Sequence, residues 1–391
     1  MNPALKRLYA YPFERLRLLL ADLIPQKPQI NMGIGEPQHA TPEFIKKALT
    51  ENFAGLGKYP PTAGTPELKK AIADWHERRY QVRIDPQHVL PVSGTREALY
   101  SFGQAVLDPS AQPVVLMPNP FYQIYEGSAI LNNAQPFYVP TPSHNGYLPD
   151  WSAVPGSLWP RVQLAFVCSP GNPTGAVLEL RHWQEIFDLS DHYGFVIAAD
   201  ECYSEIYNGQ PPIGALQAAK MLGRGHQRLV TFNSLSKRSS APGLRSGFVA
   251  GDPEIIENLV LFRSYEGASP SIMVQQASAV AWNDEAHVEE NRAKYRTKFD
   301  AAAKYVGEKT FPLDIKIPEA GFFVWARAKA GTDEGFARAA FEQQGITVLP
   351  GSYLGRETDN GNPGEGHVRL ALVAEVDVCA KALARIGQVQ L

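Results

Sequence analysis

Lys237 lies in a short polar stretch whose residue types could carry out carbonyl chemistry. The stretch is SLSKRSSAPGLRSG (residues 234–247), with Ser234 before the lysine and Arg245 after it. A nearby arginine and partial burial disfavour the ammonium form, so the Lys237 amine should be a good nucleophile towards a carbonyl carbon. Hydroxyls, glycine amides and a guanidinium group also suit a phosphate dianion. The stretch predicts a Schiff-base lysine beside a phosphate-bearing aldehyde, and equally fits an ordinary surface lysine in a serine-rich turn.

Pyridoxal 5′-phosphate is an aldehyde of this kind, and it makes further demands on a protein. Its pyridine nitrogen needs a nearby anion, because the protonated ring is the electron sink for the carbanion formed at the substrate's α-carbon. Asp200, at the end of an apolar run, is the natural candidate, although it could instead cap the following helix. Tyr203 and Asn172, the latter within SPGNPTG (169–175), could hydrogen-bond the 3-oxygen of the ring.

These candidate residues follow short apolar runs that alternate with amphipathic helices. The runs cover residues 88–94, 113–117, 163–168, 195–199, 229–232 and 247–250. Continuous apolar runs separated by helices are typical of a parallel sheet that is buried on both faces. Ligands bind beyond the carboxyl ends of such strands, so the polar residues there should converge on one site. Gly94 followed by a helix from Thr95 would present helix-terminal amides to a phosphate.

The predicted pattern of helices and strands divides the chain into three segments. Residues 1–48 predict an N-terminal arm and part of a small domain, 49–284 a large cofactor-binding domain, and 285–391 a small α+β domain. A helix from Thr41 would have that residue as its N-cap. The expected helices cover residues 14–23, 41–52, 65–80, 285–306, 333–344 and 376–386, the expected strands of the small domain cover 315–318, 321–326, 346–351 and 367–372, and the loop 351–366 should be exposed.

The composition is that of an ordinary globular protein. The 391 residues carry a net charge of −3 without a long basic block, so a nucleic-acid-binding surface is not predicted. No apolar run approaches about 18 residues, which argues against a membrane span. Three widely spaced cysteines, without a CxxC pair, fit a reducing compartment better than a disulfide framework. We therefore expect a cytoplasmic enzyme.

Four motifs together resemble the class I and II aminotransferases of pyridoxal-phosphate fold type I. They are SPGNPTG (169–175), DECY (200–203), SLSK (234–237) and GLRSG (243–247), and their order and spacing match the family. The resemblance covers essentially the whole chain. It implies an α/β fold in which a large domain has a mainly parallel seven-stranded sheet between helices, with a smaller α+β domain beside it. It also implies pyridoxal 5′-phosphate as the cofactor, no metal, and a homodimer with shared active sites.

The matching motifs assign the family's site-residue roles to positions in this sequence. By this resemblance, Lys237 is the Schiff-base lysine and the catalytic proton shuttle. Gly35, Asn172 and Arg369 would contact the substrate. The guanidinium group of Arg369 would bind the substrate's α-carboxylate through two hydrogen bonds. Tyr59 of the partner subunit would reach the cofactor phosphate. The other residues implied to bind the cofactor are Gly94, Thr95, Arg96, Tyr122, Asn172, Asp200, Tyr203, Ser234 and Arg245.

Two sequence strings near the N-terminus narrow the range of candidate substrates. Residues 1–16 and 31–42 resemble the proteobacterial succinyldiaminopimelate aminotransferases. That resemblance implies N-succinyl-L,L-2,6-diaminopimelate as amino donor, 2-oxoglutarate as acceptor, and a place in lysine and diaminopimelate synthesis. Related aspartate and alanine aminotransferases share parts of these strings, and an aspartate, alanine or acetylornithine-type aminotransferase stays open as an alternative. Arg17, Arg263 and Tyr265 are chemically suited to a distal carboxylate, although a structural role is the commoner one for each.

Two rival functions would use the same loop. A carbon–sulfur lyase or a β-decarboxylase of the same fold type could keep both the lysine and the phosphate-binding residues. A non-catalytic sensing module of the kind fused to DNA-binding regulators is disfavoured, because the stretch before Gly33 is too short to hold such a domain and the lysine is present.

Overall fold

The computed structural model describes residues 1–391, with thirteen α-helices and thirteen strands. The helices are α1 (Pro12–Leu19), α2 (Glu43–Glu51), α3 (Pro66–Tyr80), α4 (Thr95–Val106), α5 (Ile124–Leu131), α6 (Leu180–Tyr193), α7 (Ala215–Met221), α8 (Leu235–Arg238), α9 (Pro253–Glu266), α10 (Ile272–Asn283), α11 (Ala286–Ala303), α12 (Asp333–Gln344) and α13 (Val376–Ile386). The strands are β1 (Ile30–Asn31), β2 (Val89–Val92), β3 (Val114–Asn119), β4 (Gln135–Pro140), β5 (Val162–Cys168), β6 (Val196–Asp200), β7 (Leu229–Ser234), β8 (Gly247–Gly251), β9 (Leu313–Asp314), β10 (Phe323–Ala328), β11 (Ile346–Thr347), β12 (Leu349–Pro350) and β13 (His367–Ala371).

A seven-stranded sheet forms the centre of the molecule. Its strand order is β2-β8-β7-β6-β5-β3-β4, and β8 alone runs antiparallel to its neighbours, which confirms the predicted mainly parallel sheet. Successive side chains of a strand point to opposite faces. Accordingly, Val114 and Leu116 of β3 pack into one hydrophobic core, whereas Val115 and Met117 pack into a second core on the other face. The sheet is therefore buried on both faces, as the continuous apolar runs predict.

The edge strand β4 has no clear signal in the sequence. Its six residues, QPFYVP, contain two prolines and pair in parallel with β3. Proline cannot donate to a ladder of hydrogen bonds and is tolerated at a sheet edge, where one side of the strand has no partner. The prolines that hide this strand are thus compatible with its place in the sheet.

Two smaller sheets lie outside the central one. Strands β12-β13-β10-β9 form an antiparallel sheet, and β1 pairs in parallel with β11, which joins the N-terminal segment to the C-terminal third of the chain. The predicted strand over 315–318 was wrong, because β9 ends at Asp314. The segment after it turns towards β6, where Asn208 donates to Glu319 and Gly321 donates to Ile206.

Two predicted helices near the N-terminus have different bounds, and tertiary contacts lie at the bounds that changed. Helix α1 begins at Pro12 and ends at Leu19, whose carbonyl accepts a hydrogen bond from Arg338 at 2.6 Å, so it does not reach residue 23. Thr41 does not cap α2; its hydroxyl donates to the carbonyl of Ser240 at 2.7 Å, and Pro42 takes the N-cap position instead. Helices α3, α12 and α13 begin and end within one residue of the prediction.

The first part of the glycine-rich loop over 351–366 is buried, which corrects the prediction of an exposed loop. Tyr353, Leu354 and Arg356 are at most 5% exposed. Arg356 forms a two-pronged ion pair with Glu126 of α5, at 2.7 and 2.6 Å, and this pair attaches the loop to the central sheet's helices. None of the helices is long and apolar enough to cross a membrane. The domain boundaries at residues 48 and 284 stay predictions.

Candidate active site

The carboxyl ends of β5, β6 and β7 open into one cavity of about 550 Å³. Parallel strands present their carboxyl ends at the same edge of a sheet, so the residues that follow them meet there. β13 of the small sheet contributes Arg369 from the other side. The predicted site residues that line the cavity are Gly35, Thr95, Arg96, Tyr122, Asn172, Asp200, Tyr203, Ser234, Lys237, Arg245 and Arg369.

Lys237 lies on the short helix α8, directly after β7, and its amine points into the cavity. The Nζ atom donates a hydrogen bond to the carbonyl of Gly35 at 2.7 Å. Burial lowers the pKa of the Lys237 ammonium to about 8, and the positive charges of Arg369 and Arg245 act in the same direction. About a tenth of the amine is therefore neutral at pH 7 and about half at pH 8, and this neutral form is nucleophilic and basic.

One corner of the cavity has the donors that a phosphate dianion needs. The hydroxyls of Ser234 and Ser236 lie 2.8 Å apart, and the exposed Arg245 guanidinium lies against Gly94 at the start of α4. A Cβ atom on Gly94 would collide with that guanidinium, so glycine is required for the close approach, as its φ of 82° also indicates. Hydroxyls, a guanidinium and the N-terminal amides of a twelve-residue helix fit a phosphate group.

Asp200 ends β6 as a buried carboxylate without a cationic partner. Its side chain is 4% exposed, and it accepts hydrogen bonds from the Tyr125 hydroxyl at 2.7 Å and the Cys202 amide at 3.2 Å. Burial raises the pKa of Asp200, because no positive charge compensates it. A protonated pyridine nitrogen would supply the missing cation, so this carboxylate fits the ring of pyridoxal 5′-phosphate.

Arg369 is a buried cation that also lines the cavity. It is 4% exposed, donates to Asn172 Oδ1 at 3.0 Å and to the carbonyl of Gly33 at 2.8 Å, and stacks on the ring of Phe323. Its Nε atom is buried and has no hydrogen-bond partner. Burial lowers the pKa of Arg369 to about 10, so the group remains charged at neutral pH. An unpaired buried guanidinium with a free donor fits a substrate carboxylate.

The guanidinium of Arg96 is hydrogen-bonded to two tyrosine side chains. Its Nε donates to the Tyr122 hydroxyl at 2.8 Å, and Nη2 donates to the Tyr11 hydroxyl at 3.3 Å. All three side chains line the same cavity as Lys237. Tyr11 belongs to the N-terminal segment, and the sequence offered no local signal for its place in the site.

The structure separates several other candidates from the cavity. Arg263 is buried in an ion pair with Glu97 at 2.9 Å, and Arg17 pairs with Glu14 of its own helix. Tyr265 is 90% exposed and lies outside the cavity. Arg17, Arg263 and Tyr265 therefore do not contact a ligand in this chain's own site. Tyr59 is 99% exposed and does not line the cavity of its own chain either.

The chain is similar to aminotransferases over almost its whole length. The family described as aminotransferase class I and II matches residues 27–386. The LL-diaminopimelate aminotransferase of Desulforudis audaxviator is 32% identical over 389 residues, covering 98% of this chain and 96% of that protein. A solved aminotransferase from Neisseria meningitidis has 48% identity and a TM-score of 0.95, with 99% of each chain covered. The aminotransferase AspB from Helicobacter pylori has 36% identity and a TM-score of 0.91, covering 97% of this chain and 98% of that one.

Proposed function

The chain belongs to the pyridoxal-phosphate-dependent class I and II aminotransferases, and from that membership we propose that it transfers an amino group from N-succinyl-L,L-2,6-diaminopimelate to 2-oxoglutarate. Besides the α-carboxylate, the donor carries two further carboxylates and 2-oxoglutarate carries one, so both compounds have an acidic group far from the reacting carbon. The observation that carries the proposal is a second group of hydrogen-bond donors in the cavity, formed by Arg96, Tyr11 and Tyr122. We refer to these three side chains as the distal donor cluster.

The distal donor cluster offers several hydrogen-bond donors to a ligand. Arg96 already donates to both tyrosine oxygens, so each tyrosine has its own O–H left to donate. No acidic side chain of the protein forms an ion pair with Arg96. Since Arg369 suits the α-carboxylate, the cluster, which lines the same cavity, suits the remote carboxylate of the same substrate. A substrate with an acidic group at each end would match both.

In the proposed mechanism Lys237 moves one proton. When bound, pyridoxal 5′-phosphate supplies the electron sink that stabilises negative charge on the substrate's α-carbon. Arg369 holds the α-carboxylate and thereby presents the α C–H bond to the Lys237 amine. The neutral amine takes this proton as a general base, and the ammonium then returns it, as a general acid, at the other carbon bonded to the transferred nitrogen. Asp200 keeps the proton on the ring nitrogen through its negative charge.

A second candidate donor is L,L-2,6-diaminopimelate itself. It is favoured by the full-length similarity to an enzyme of that name. Glu36, the one carboxylate besides Asp200 that lines the cavity, could pair with a free distal ammonium. The succinylated compound has a neutral amide at that position instead, and its succinyl group adds a further carboxylate. The two donors therefore differ in charge beside the distal carboxylate: L,L-diaminopimelate presents a cation there and the succinylated compound an anion.

The test is a panel of amino donors with 2-oxoglutarate as acceptor. The panel contains succinyldiaminopimelate, L,L-diaminopimelate, acetylornithine, aspartate and alanine. We expect the highest kcat/KM for succinyldiaminopimelate. A higher value for another donor would replace the proposed substrate, and release of pyruvate and ammonia without an acceptor would indicate a lyase.

Arg96→Gln tests the distal donor cluster separately from the chemistry. A hydrogen bond to a charged group contributes about 1.5–3 kcal/mol, so kcat/KM for succinyldiaminopimelate and 2-oxoglutarate should fall about 10- to 100-fold. Alanine, which lacks a second acidic group, should lose much less. Tyr122→Phe, which removes one donor and keeps the ring, is the matched control and should show a smaller loss of the same kind. Equal losses for all substrates would contradict this role for Arg96.

A further inference from the structure

Behind Lys237 lies a row of three buried polar side chains that the proposed mechanism does not use. Lys298 is 1% exposed, His39 is 5% exposed and Asn291 is 7% exposed. Lys298 and Asn291 lie two turns apart on α11, and His39 lies in the segment between β1 and α2. Burying polar side chains away from water destabilises the fold unless each hydrogen-bond donor has an acceptor.

The row has one consistent assignment of donors and acceptors. Lys298 Nζ can only donate, and it contacts His39 Nε2 at 2.7 Å and the carbonyl of Val373 at 3.1 Å. His39 Nε2 must therefore accept, which places the ring proton on Nδ1. That N–H donates to Asn291 Oδ1 at 3.0 Å.

This assignment leaves the Asn291 amide nitrogen pointing at the backbone of the catalytic lysine. Nδ2 donates to the carbonyl of Lys237 at 3.0 Å and to the carbonyl of Arg238 at 3.2 Å. Both carbonyls belong to the four-residue helix α8, which is too short to hold its own shape by internal hydrogen bonds. Asn291 thus uses both of its N–H donors to fix the turn that carries the lysine.

The segment that contains His39 is attached to the same turn at three other points. Lys237 Nζ donates to the carbonyl of Gly35 at 2.7 Å, and the Ser240 hydroxyl donates to the carbonyl of His39 at 2.8 Å. The Thr41 hydroxyl donates to the carbonyl of Ser240 at 2.7 Å. The position of the amine and the position of its backbone are therefore both set against one stretch, residues 35–41.

We propose that Asn291, His39 and Lys298 are positioning residues that fix the backbone of Lys237, so that its amine reaches both carbon atoms between which the proton moves. Lys298 sets the tautomer of His39, His39 orients the Asn291 amide, and Asn291 holds the lysine turn. This inference rests on the proposed role of Lys237. A misplacement of a reacting group by about 1 Å can cost on the order of 100-fold in rate, so a rigid lysine turn has kinetic value.

Three variants interrupt the row at different points. Asn291→Asp keeps the shape but replaces both donors with an oxygen that repels the two carbonyls. Lys298→Met removes the donor that sets the tautomer, and the buried methionine stem fits an apolar site. His39→Gln retains one donor and one acceptor and is the conservative replacement. Lys294→Met, on the exposed face of α11, is the matched control, because it removes a lysine that makes no hydrogen bond in the row.

The holoenzyme variants are tested by amino-transfer rate in a single half-reaction, by the pH titration of the visible absorbance of the lysine-bound cofactor, and by hydrogen exchange. The ionisable groups facing Lys298 are His39, Tyr295, Cys379, Glu375 and Lys294, so the Lys294 control also reports simple charge effects on the titration. Those facing Lys237 are Cys202, Arg369, Glu36 and Arg245, which the variants leave in place. For Asn291→Asp and Lys298→Met, we expect a rate loss of about 10- to 100-fold with substrate KM nearly unchanged. We also expect a titration midpoint shifted by about one pH unit and faster exchange of the amides in residues 235–240. His39→Gln should retain more of the rate than Asn291→Asp.

The outcomes separate positioning from mere stability. Variants with a lower melting temperature but wild-type rate, midpoint and exchange would overturn the proposal. If Asn291→Asp does not fold, Lys298→Met and His39→Gln still decide it by the same measurements. If the wild-type enzyme itself transfers no amino group, the proposed function fails instead, and the exchange of residues 235–240 still tests whether the row holds that turn.

Discussion

Lys237 needs to be an amine at the pH at which it acts, and its surroundings favour that form. Burial disfavours the ammonium, and the nearby guanidinium groups repel it, so the pKa falls to about 8 from the ordinary value of 10.5. In the cofactor-free protein, only the neutral amine attacks the aldehyde of pyridoxal 5′-phosphate. In the proposed mechanism, the same neutral amine is the base that takes the α-proton.

We therefore predict that cofactor uptake by the apoenzyme speeds up with pH and levels off above about 8. Below that pH most of the amine is protonated, so the rate should fall about tenfold per pH unit. The measurement is the rate at which visible absorbance appears after mixing apoenzyme with pyridoxal 5′-phosphate. Lys237→Ala should show no such absorbance and nearly no turnover. A midpoint near 10.5 would contradict the influence of burial on the lysine.

Arg369→Ala should lower kcat/KM for every amino acid that the enzyme accepts. All amino acids share the α-carboxylate, and truncating one partner of a buried charged pair costs about 2–5 kcal/mol, so a loss of about 100-fold or more is expected. Arg369→Lys keeps the charge but loses the fork and should recover only part of the rate. The contrast with Arg96→Gln, which should spare alanine, is measured on the same panel. A loss confined to substrates with two acidic groups would contradict the assignment of Arg369 to the α-carboxylate.

Residues that follow parallel strands could be predicted, because the strands themselves bring them together. Asn172, Asp200 and Ser234 are far apart in sequence but meet at the ends of β5, β6 and β7. Tyr125, which contacts Asp200, has no such signal, because it lies on a helix that looks merely apolar. The contact between His39 and Lys298 spans 259 residues and depends on side-chain packing that no local pattern specifies.

At the level of elements, local patterns failed where a distant group competes for the same atoms. Arg338 donates a hydrogen bond to the Leu19 carbonyl at the end of α1. The Thr41 hydroxyl, which would have capped α2, donates instead to the carbonyl of Ser240. The loop after β12 looked exposed because it is polar and rich in glycine. The first part of this loop is buried, and there Arg356 forms an ion pair with Glu126 of α5. The two residues are far apart in sequence and come together only in the folded chain.

Arg356→Met should destabilise the protein by about 3–5 kcal/mol, because it leaves the Glu126 carboxylate buried without its cation. The double variant Arg356→Met with Glu126→Leu removes both charges and should regain most of that loss. The free energy of unfolding, measured by denaturant titration of all four proteins, checks the cycle. Losses that simply add would show that the pair has no coupling of its own. Arg83→Met, which removes the Arg83–Glu77 ion pair exposed at the surface, is the control and should change stability little.

At the scale of the whole molecule, one surface of the chain is unusually apolar for a protein exposed to water. Phe53, Leu56 and Tyr59 are 52%, 72% and 99% exposed, and they follow one another within a short segment after α2. Large exposed apolar groups that cluster in this way mark a surface for another protein. A homodimer in which this segment faces the partner's cavity would cover them and would bring Tyr59 to the phosphate corner of that cavity.

The dimer is tested by mixing two defective chains. Chains with Lys237→Ala lack the catalytic amine, and chains with Tyr59→Ala lack the proposed phosphate contact. In a mixed dimer, one site contains both damaged residues, while the other combines the native Lys237 of one chain with the native Tyr59 of its partner. Random mixing should therefore restore about one quarter of the wild-type activity, since half of the dimers are mixed and each has one intact site. If Tyr59 serves its own chain, or no site at all, mixing would give no gain over the Tyr59→Ala protein. Sedimentation should first show a species of twice the 43.0 kDa chain mass.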